Sequence, residues 1–192
     1  MPGTAAPAGK LVVISAPSGA GKTTIARAML ERFPSLSFSV SATTRPRRET
    51  EVDGRDYFFL AREEFERRIA AGEFVEWEKI YGDYYGTLKA EVARAAREGR
   101  GLLFDIDVKG GLSIKRQYPH ALLIFIRPPD LETLRRRLQN RRTEDAATLA
   151  RRMERATMEL ELGTAFDCVC VNDELARAVA EVEKILEHYL TT

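Results

Sequence analysis

Apolar positions follow two different periods along this 192-residue chain. Four runs, at 11–14, 102–104, 122–126 and 168–171, are continuously apolar. They are too short for helices and lack polar alternation, which suits strands covered on both faces. Between them the apolar residues recur at helical spacing: Ile25, Ala28, Met29 and Phe33; Leu131, Leu134 and Leu138; Leu149, Met153, Ala156 and Leu160; Leu175, Val179, Val182 and Leu186. Strands alternating with helices predict an α/β fold, a parallel sheet with helices on both faces, and the helix stripes read as plain core.

The alternation breaks over about 37–88. That stretch holds Ser41-Ala42-Thr43-Thr44-Arg45-Pro46-Arg47-Arg48, Tyr57-Phe58-Phe59-Leu60, a short helix pattern at Phe65 and Ile69, Glu73-Phe74-Val75-Glu76-Trp77, and Tyr84-Tyr85-Gly86-Thr87. Aromatic and β-branched residues between turn signals predict a small strand-rich insertion. Placed between the first and later strands of the sheet, it can overhang the loop after the first strand and dock a second substrate there.

That loop carries the clearest chemistry. Ala16-Pro17-Ser18-Gly19-Ala20-Gly21-Lys22-Thr23 comes after the first strand and opens the first helix. Small residues let backbone N–H groups wrap phosphates, and the helix start adds partial positive charge. Lys22 can reach β- and γ-phosphates, and the Thr23 hydroxyl can sit on Mg²⁺. The common form of this loop begins with Gly where this chain has Ala16. The arginine-dense run from Arg135 to Asp145 joins two helix patterns. Beside a phosphate-binding loop it reads as a clamp that closes over a nucleotide.

Composition narrows the classes. A net charge of +1 gives no global pull toward nucleic acid or an anionic membrane surface, and no aromatics are interleaved with the arginines. No apolar run approaches the roughly 20 residues that span a bilayer. Residues 1–9 are rich in Ala, Pro and Gly and read as a disordered leader rather than a secretion signal. Cys168 and Cys170 share one strand face, where a disulfide would be strained. They read as buried free thiols in a reducing, cytoplasmic setting. His120 and His188 have no metal-ligand spacing around them.

Taken in order, the motifs resemble those of the guanylate kinases over about residues 10–190. They are Ala-Pro-Ser-Gly-Ala-Gly-Lys-Thr, Ser-Val-Ser-Ala-Thr-Thr-Arg, Gly54-Arg55-Asp56-Tyr57, Glu73-Phe74-Val75-Glu76-Trp77, Tyr84-Tyr85-Gly86-Thr87 and Asp105-Ile106-Asp107. The resemblance implies a three-layer P-loop NTPase core at 10–36 and 89–190, a GMP-binding insertion at 37–88 and a helical lid at about 135–155. It implies transfer of the γ-phosphoryl of ATP to GMP, and to dGMP, with Mg²⁺.

The resemblance also implies roles. Ala16 to Thr23 and Asn172 fall on the ATP side. Ser41, Glu76, Thr87 and Asp107 read the base, and Arg45, Arg48, Tyr57 and Tyr85 hold the GMP phosphate. Counting to Glu51 selects Arg48 rather than Arg47. Thr23 and Asp105 serve the metal. Lys22, Arg45, Arg137, Arg141 and Arg152 neutralise the migrating group; Arg142 stands after Arg141 where the family has Gly. The chemistry suits the residues. Guanine presents two adjacent donors that one carboxylate accepts together, and arginine forks match phosphate oxygens in pairs. Asp107 can also N-cap a helix. The partners implied are the two nucleotides, with no nucleic acid or membrane, on a monomer or small homo-oligomer. A scaffold module that has lost catalysis and a kinase for another small substrate are the rival classes.

Overall fold

The computed structural model describes residues 9–139 and 146–192. The expected leader up to residue 8 and lid residues 140–145, Arg141 among them, lie outside the described residues.

Five parallel strands form the core sheet: β1 (Leu11–Ser15), β2 (Leu36–Phe38), β7 (Gly101–Asp105), β8 (Leu122–Arg127) and β9 (Cys168–Val171), in the order β2-β7-β1-β8-β9. β1 is central because its residues are apolar on both sides; Val12, Val13 and Ile14 are fully buried. Val12 and Ile14 pack with Ile25 and Met29 of α1 (Lys22–Arg32) and with Val182 and Leu186 of α7 (Leu175–Thr191). On the other face, Leu11 and Val13 pack with Ala95 of α3 (Lys89–Arg97), Ile114 of α4 (Val108–Gln117) and Phe166. The result is three layers. Each fully buried Leu, Ile or Phe contributes about 1.5–3 kcal/mol.

A second sheet, β4-β3-β6-β5, is built from β3 (Ala42–Thr43), β4 (Phe58–Phe59), β5 (Phe74–Ile80) and β6 (Asp83–Leu88), with α2 (Arg62–Ala70) packed on it. Phe65 of α2 stacks on Phe74 at 4.3 Å and on Tyr84 at 5.2 Å, giving the insertion a small core of its own. β5 and β6 form a hairpin closed by Tyr81 and Gly82, both at positive φ. Two residues at positive φ match the right-handed twist of the flanking strands. The crossing from β2 into β3 is pinned from α3. Buried Glu91 accepts from Val40 N at 2.9 Å, and Arg94 donates both to Glu91 and to Phe38 O. Last come α5 (Leu131–Gln139) and α6 (Ala146–Leu162), joined by Leu134, Leu138 and Ala156.

Two details depart from the expectation. The core sheet takes in Ser37 and Phe38, because β2 is an edge strand of only three residues that pairs with β7 on one side. The run at 168–171 is not covered on both faces. As the other edge strand it leaves Val169 and Val171 exposed and Cys168 half-buried, while Cys170 is fully buried; both cysteines are free thiols.

Candidate active site

The loop between β1 and α1 is held from below and behind. Gly21 sits at φ 99°, left-handed backbone, and a Cβ there would lie 2.4 Å from Asn172 Nδ2. Asn172 is buried and donates that amide to Ala20 O at 2.7 Å, while its backbone carbonyl accepts from Arg137 Nη2 at 3.0 Å. Asn172 comes directly after β9, so the edge strand, the loop and α5 are tied together. Lys22 and Thr23 converge on one carboxylate at the end of β7. Lys22 Nζ is 2.6 Å from Asp105 Oδ1, and Thr23 Oγ1 donates to Asp105 Oδ2 at 2.9 Å. Burial works against the Lys22 charge, but the adjacent Asp105 outweighs it and the lysine pKa is raised.

Two cavities meet at Lys22. The first, about 370 Å³, is walled by Ala16 to Gly19 and Gly21 to Thr24 on one side, and by Tyr81, Tyr85, Asp107, Arg152, Arg155 and Glu159 on the other. Ala20 is fully buried beneath the loop and does not line it. The second cavity, about 190 Å³, continues past Lys22, Asp105 and Asp107 to Ser41, Tyr57, Glu76 and Tyr85.

Glu76 forms the inner end of the second cavity. It is buried and accepts from Thr87 Oγ1 at 2.7 Å, across the β5–β6 hairpin. Burial pushes its pKa up to about 7. Thr87 is itself fully buried, so its hydroxyl fixes Glu76 and does not line the cavity. Gly110 makes room at this place: a Cβ there would lie 2.8 Å from Glu76 Oε2 and 3.0 Å from Asp107 Oδ1. Asp107 is the N-cap of α4, accepting from Gly110 N at 2.8 Å, and lines both cavities. Burial, together with the neighbouring Glu78 carboxylate, raises its pKa.

The arginines divide into two groups. Arg45 is half-buried. Its fork meets Glu51 at 2.7 and 3.0 Å, its guanidinium lies 5.3 Å from the Tyr57 ring and 5.7 Å from the Phe59 ring, and it lines neither cavity. Glu51 also accepts from Arg48 N at 2.8 Å and has its pKa lowered to about 2, chiefly by Arg45. Arg48 is exposed, and Arg47 donates to Glu51 O. On the opposite wall, Arg152 lines the first cavity from α6.

A group that the motifs do not mark sits between these sets. Arg155 Nη2 donates to Asp107 Oδ2 at 2.8 Å and to Glu78 Oε2 at 3.3 Å, and its Nε donates to Glu159 Oε1 at 2.9 Å. Lys109 Nζ lies 3.1 Å from Glu78 Oε1. The chain does carry a signal for it. Glu78 is two residues past Glu76 on one strand, and Arg155 is four before Glu159 on one helix, so each pair shares a face.

A model of the guanylate kinase family matches residues 8–189. The chain belongs to that family. It is 50% identical over 185 residues to a guanylate kinase of Chlorobium luteolum, covering 96% of this chain and 94% of that one. It is 51% identical over 183 residues to a guanylate kinase of Chlorobaculum tepidum, covering 95% and 94%. The crystal structure of guanylate kinase from Anaplasma phagocytophilum superposes with a TM-score of 0.77 at 28% identity, over 96% of this chain and 88% of that one. Membership in the guanylate kinase family makes the chain an enzyme, a nucleoside monophosphate kinase with the α/β fold expected for one. Among the described residues no group of three or more His, Cys, Asp and Glu could hold a metal ion. Thr23 Oγ1 and Asp105 Oδ2, 2.9 Å apart, supply hard oxygen donors of the kind Mg²⁺ takes alongside water and phosphate.

Proposed function

We propose that the chain transfers the γ-phosphoryl group of ATP to GMP, giving ADP and GDP, and accepts dGMP in the same site. The observation that carries this is Lys22, which lines both cavities: one walled by the loop, the other ending at Glu76. A donor triphosphate in the first and an acceptor monophosphate in the second meet end to end at that cation.

On the donor side, the 16–23 loop cradles phosphates with its backbone, and Lys22 meets the β- and γ-oxygens. Asn172 acts by fixing the loop through Ala20 O. On the acceptor side, Glu76 takes the two adjacent guanine donors, Thr87 holds Glu76 in place, and Ser41 and Asp107 complete the base contacts. Arg45, Arg48, Tyr57 and Tyr85 take the acceptor phosphate. Glu51 sets the Arg45 fork before substrate arrives. Adenine carries an acceptor where guanine has N1–H, so it would leave Glu76 unpaired, and a site of buried hydrogen bonds rejects such a base.

The acceptor oxygen is already anionic and needs no base, so what the residues supply is position and charge screening. Arg137, Arg141 and Arg152 screen the migrating group and exclude water, which suppresses ATP hydrolysis. Thr23 and Asp105, the latter directly or through water, would hold Mg²⁺, which would neutralise donor-phosphate charge. Among the described residues no helix is long and apolar enough to cross a membrane. Two free thiols, whose disulfide would be strained, support a cytoplasmic place, and we take the chain as a monomer or small homo-oligomer.

A coupled ADP-release assay with GMP, dGMP, AMP and UMP as acceptors tests this. ADP release that depends on GMP or dGMP is expected. Equal rates with AMP, or no release with any acceptor, would overturn it.

A further inference from the structure

Resting on that reading, we propose that Arg155 is a positioning residue for acceptor-base recognition: its guanidinium orients the Asp107 carboxylate and, through Glu78, ties helix α6 to the insertion. Asp107 is held at both oxygens. Oδ1 accepts from Gly110 N at 2.8 Å and Oδ2 from Arg155 Nη2 at 2.8 Å. Two fixed partners set the plane of the carboxylate, and each oxygen keeps a second lone pair for a ligand donor. The cavity surface that Asp107 presents is thus set by a residue of helix α6.

One guanidinium serves three carboxylates on three elements: Asp107 at the start of α4, Glu78 on β5 and Glu159 on α6 itself. A planar fork is pre-organised for such a set of contacts, which a lysine ammonium on its flexible stem is not. Four carboxylates, at positions 76, 78, 107 and 159, crowd this region, and Lys109 reaches Glu78 from the solvent side. Arg155 and Glu78 stand 77 residues apart in the chain, so their contact exists only while α6 lies against the insertion. Tyr81, at the β5–β6 turn, adds a ring face 6.0 Å from the guanidinium. The bridge therefore favours the arrangement in which Arg152, one helical turn before Arg155, faces the loop across the first cavity.

The test reads base discrimination, which a purely structural ion pair would leave alone. The quantity is the ratio of kcat/KM for GMP to that for inosine monophosphate, which lacks the exocyclic amine. Arg155→Met is expected to lower the ratio about tenfold, the effect of losing one well-placed contact to a charged group. Asp107→Asn is expected to lower it at least as far, and the double variant no further than Asp107→Asn alone. A ratio that stays within about twofold in Arg155→Met, or two changes that multiply, would overturn the inference. Thermal midpoints check folding. If the Met variant does not fold, Arg155→Lys takes its place in the same cycle. Wild-type enzyme that releases ADP with GMP while the ratio stays fixed defeats this inference alone; wild-type enzyme inactive with GMP defeats the proposed function as well.

Discussion

Replacing Glu76 with Gln separates the work of this side chain from its effect on the fold. The change keeps shape and leaves Oε1 to accept from Thr87 Oγ1, at 2.7 Å in the native protein. It turns the second oxygen into a donor facing a guanine donor. A hydrogen bond to a charged group is worth about 1.5–3 kcal/mol, and a buried donor left unpaired costs a further 1–3 kcal/mol or so. The expected fall in kcat/KM for GMP is about 10²- to 10⁴-fold. ATP binding, on the other side of Lys22, is expected to hold.

Stability should move the other way. Burial lifts the Glu76 pKa from its ordinary 4.5 to about 7. Between those values the folded state binds the proton that the unfolded state releases, so stability falls as pH rises through that window. Above pH 7 the ionised, 7% exposed carboxylate costs the fold about 3 kcal/mol, and Gln removes that cost. Glu76→Gln should therefore melt about 5–10 °C above wild type at pH 8, with the gap closing by about pH 4.5. The native kcat/KM for GMP should fall below pH 7, as Glu76 takes up a proton and loses an acceptor, and the variant should lack that limb. Thermal scans across pH with paired GMP and ATP kinetics decide the matter. A variant that is less stable at pH 8, or that loses ATP binding as much as GMP use, would refute the reasoning.

Three further changes test the other parts of the site. Lys22→Ala should lower kcat by about 10²-fold or more while GMP binding, measured by calorimetry, survives; unchanged turnover would remove Lys22 from the chemistry. Gly21→Ala places a Cβ 2.4 Å from Asn172 Nδ2 at φ 99°. The backbone strain alone is about 1–2 kcal/mol, so a lower thermal midpoint and weaker binding of a non-hydrolysable ATP analogue are expected together. Glu51→Gln loosens the Arg45 fork and should raise KM for GMP about tenfold with KM for ATP unmoved; the native pairing should persist down to about pH 2–3, since the Glu51 pKa is lowered to about 2.

The α/β core is legible in the sequence because its strands are continuously apolar and its helices keep one stripe. Leu11 to Ile14 and Leu122 to Ile126 each lead through a short loop into a helix stripe, and that context marks them as buried strands. β2, β3 and β4, of three, two and two residues, carry no period to read, and the edge position of β9 is not encoded in its own apolar run. The loop and its Lys22 are legible directly. Asn172 is expected on the ATP side, but that its amide is fixed against Ala20 O is not legible in the sequence; which way a side chain after a strand points depends on what the neighbouring loop needs. Thr87 is expected to touch the base; that its hydroxyl braces Glu76 is a fact of hairpin register that only pairing Glu76 with Thr87 reveals. Arg155 escapes a linear reading because its partners Glu78 and Asp107 are 77 and 48 residues away.

These placements share a physical logic. Glu76, Asp107 and Glu159 all have raised pKa values, with burial the leading cause in each. The region holds carboxylates in surroundings that disfavour their charge, which destabilises the fold near neutral pH. On the proposed reading, guanine would bring hydrogen-bond donors to Glu76 and Asp107, so the ligand would relieve what burial imposes on those two carboxylates. Acceptor binding should then draw its energy from the same desolvation that weakens the fold. A base without those donors leaves the penalty in place, and for that reason discrimination and instability should be lost together when the carboxylate at 76 becomes an amide.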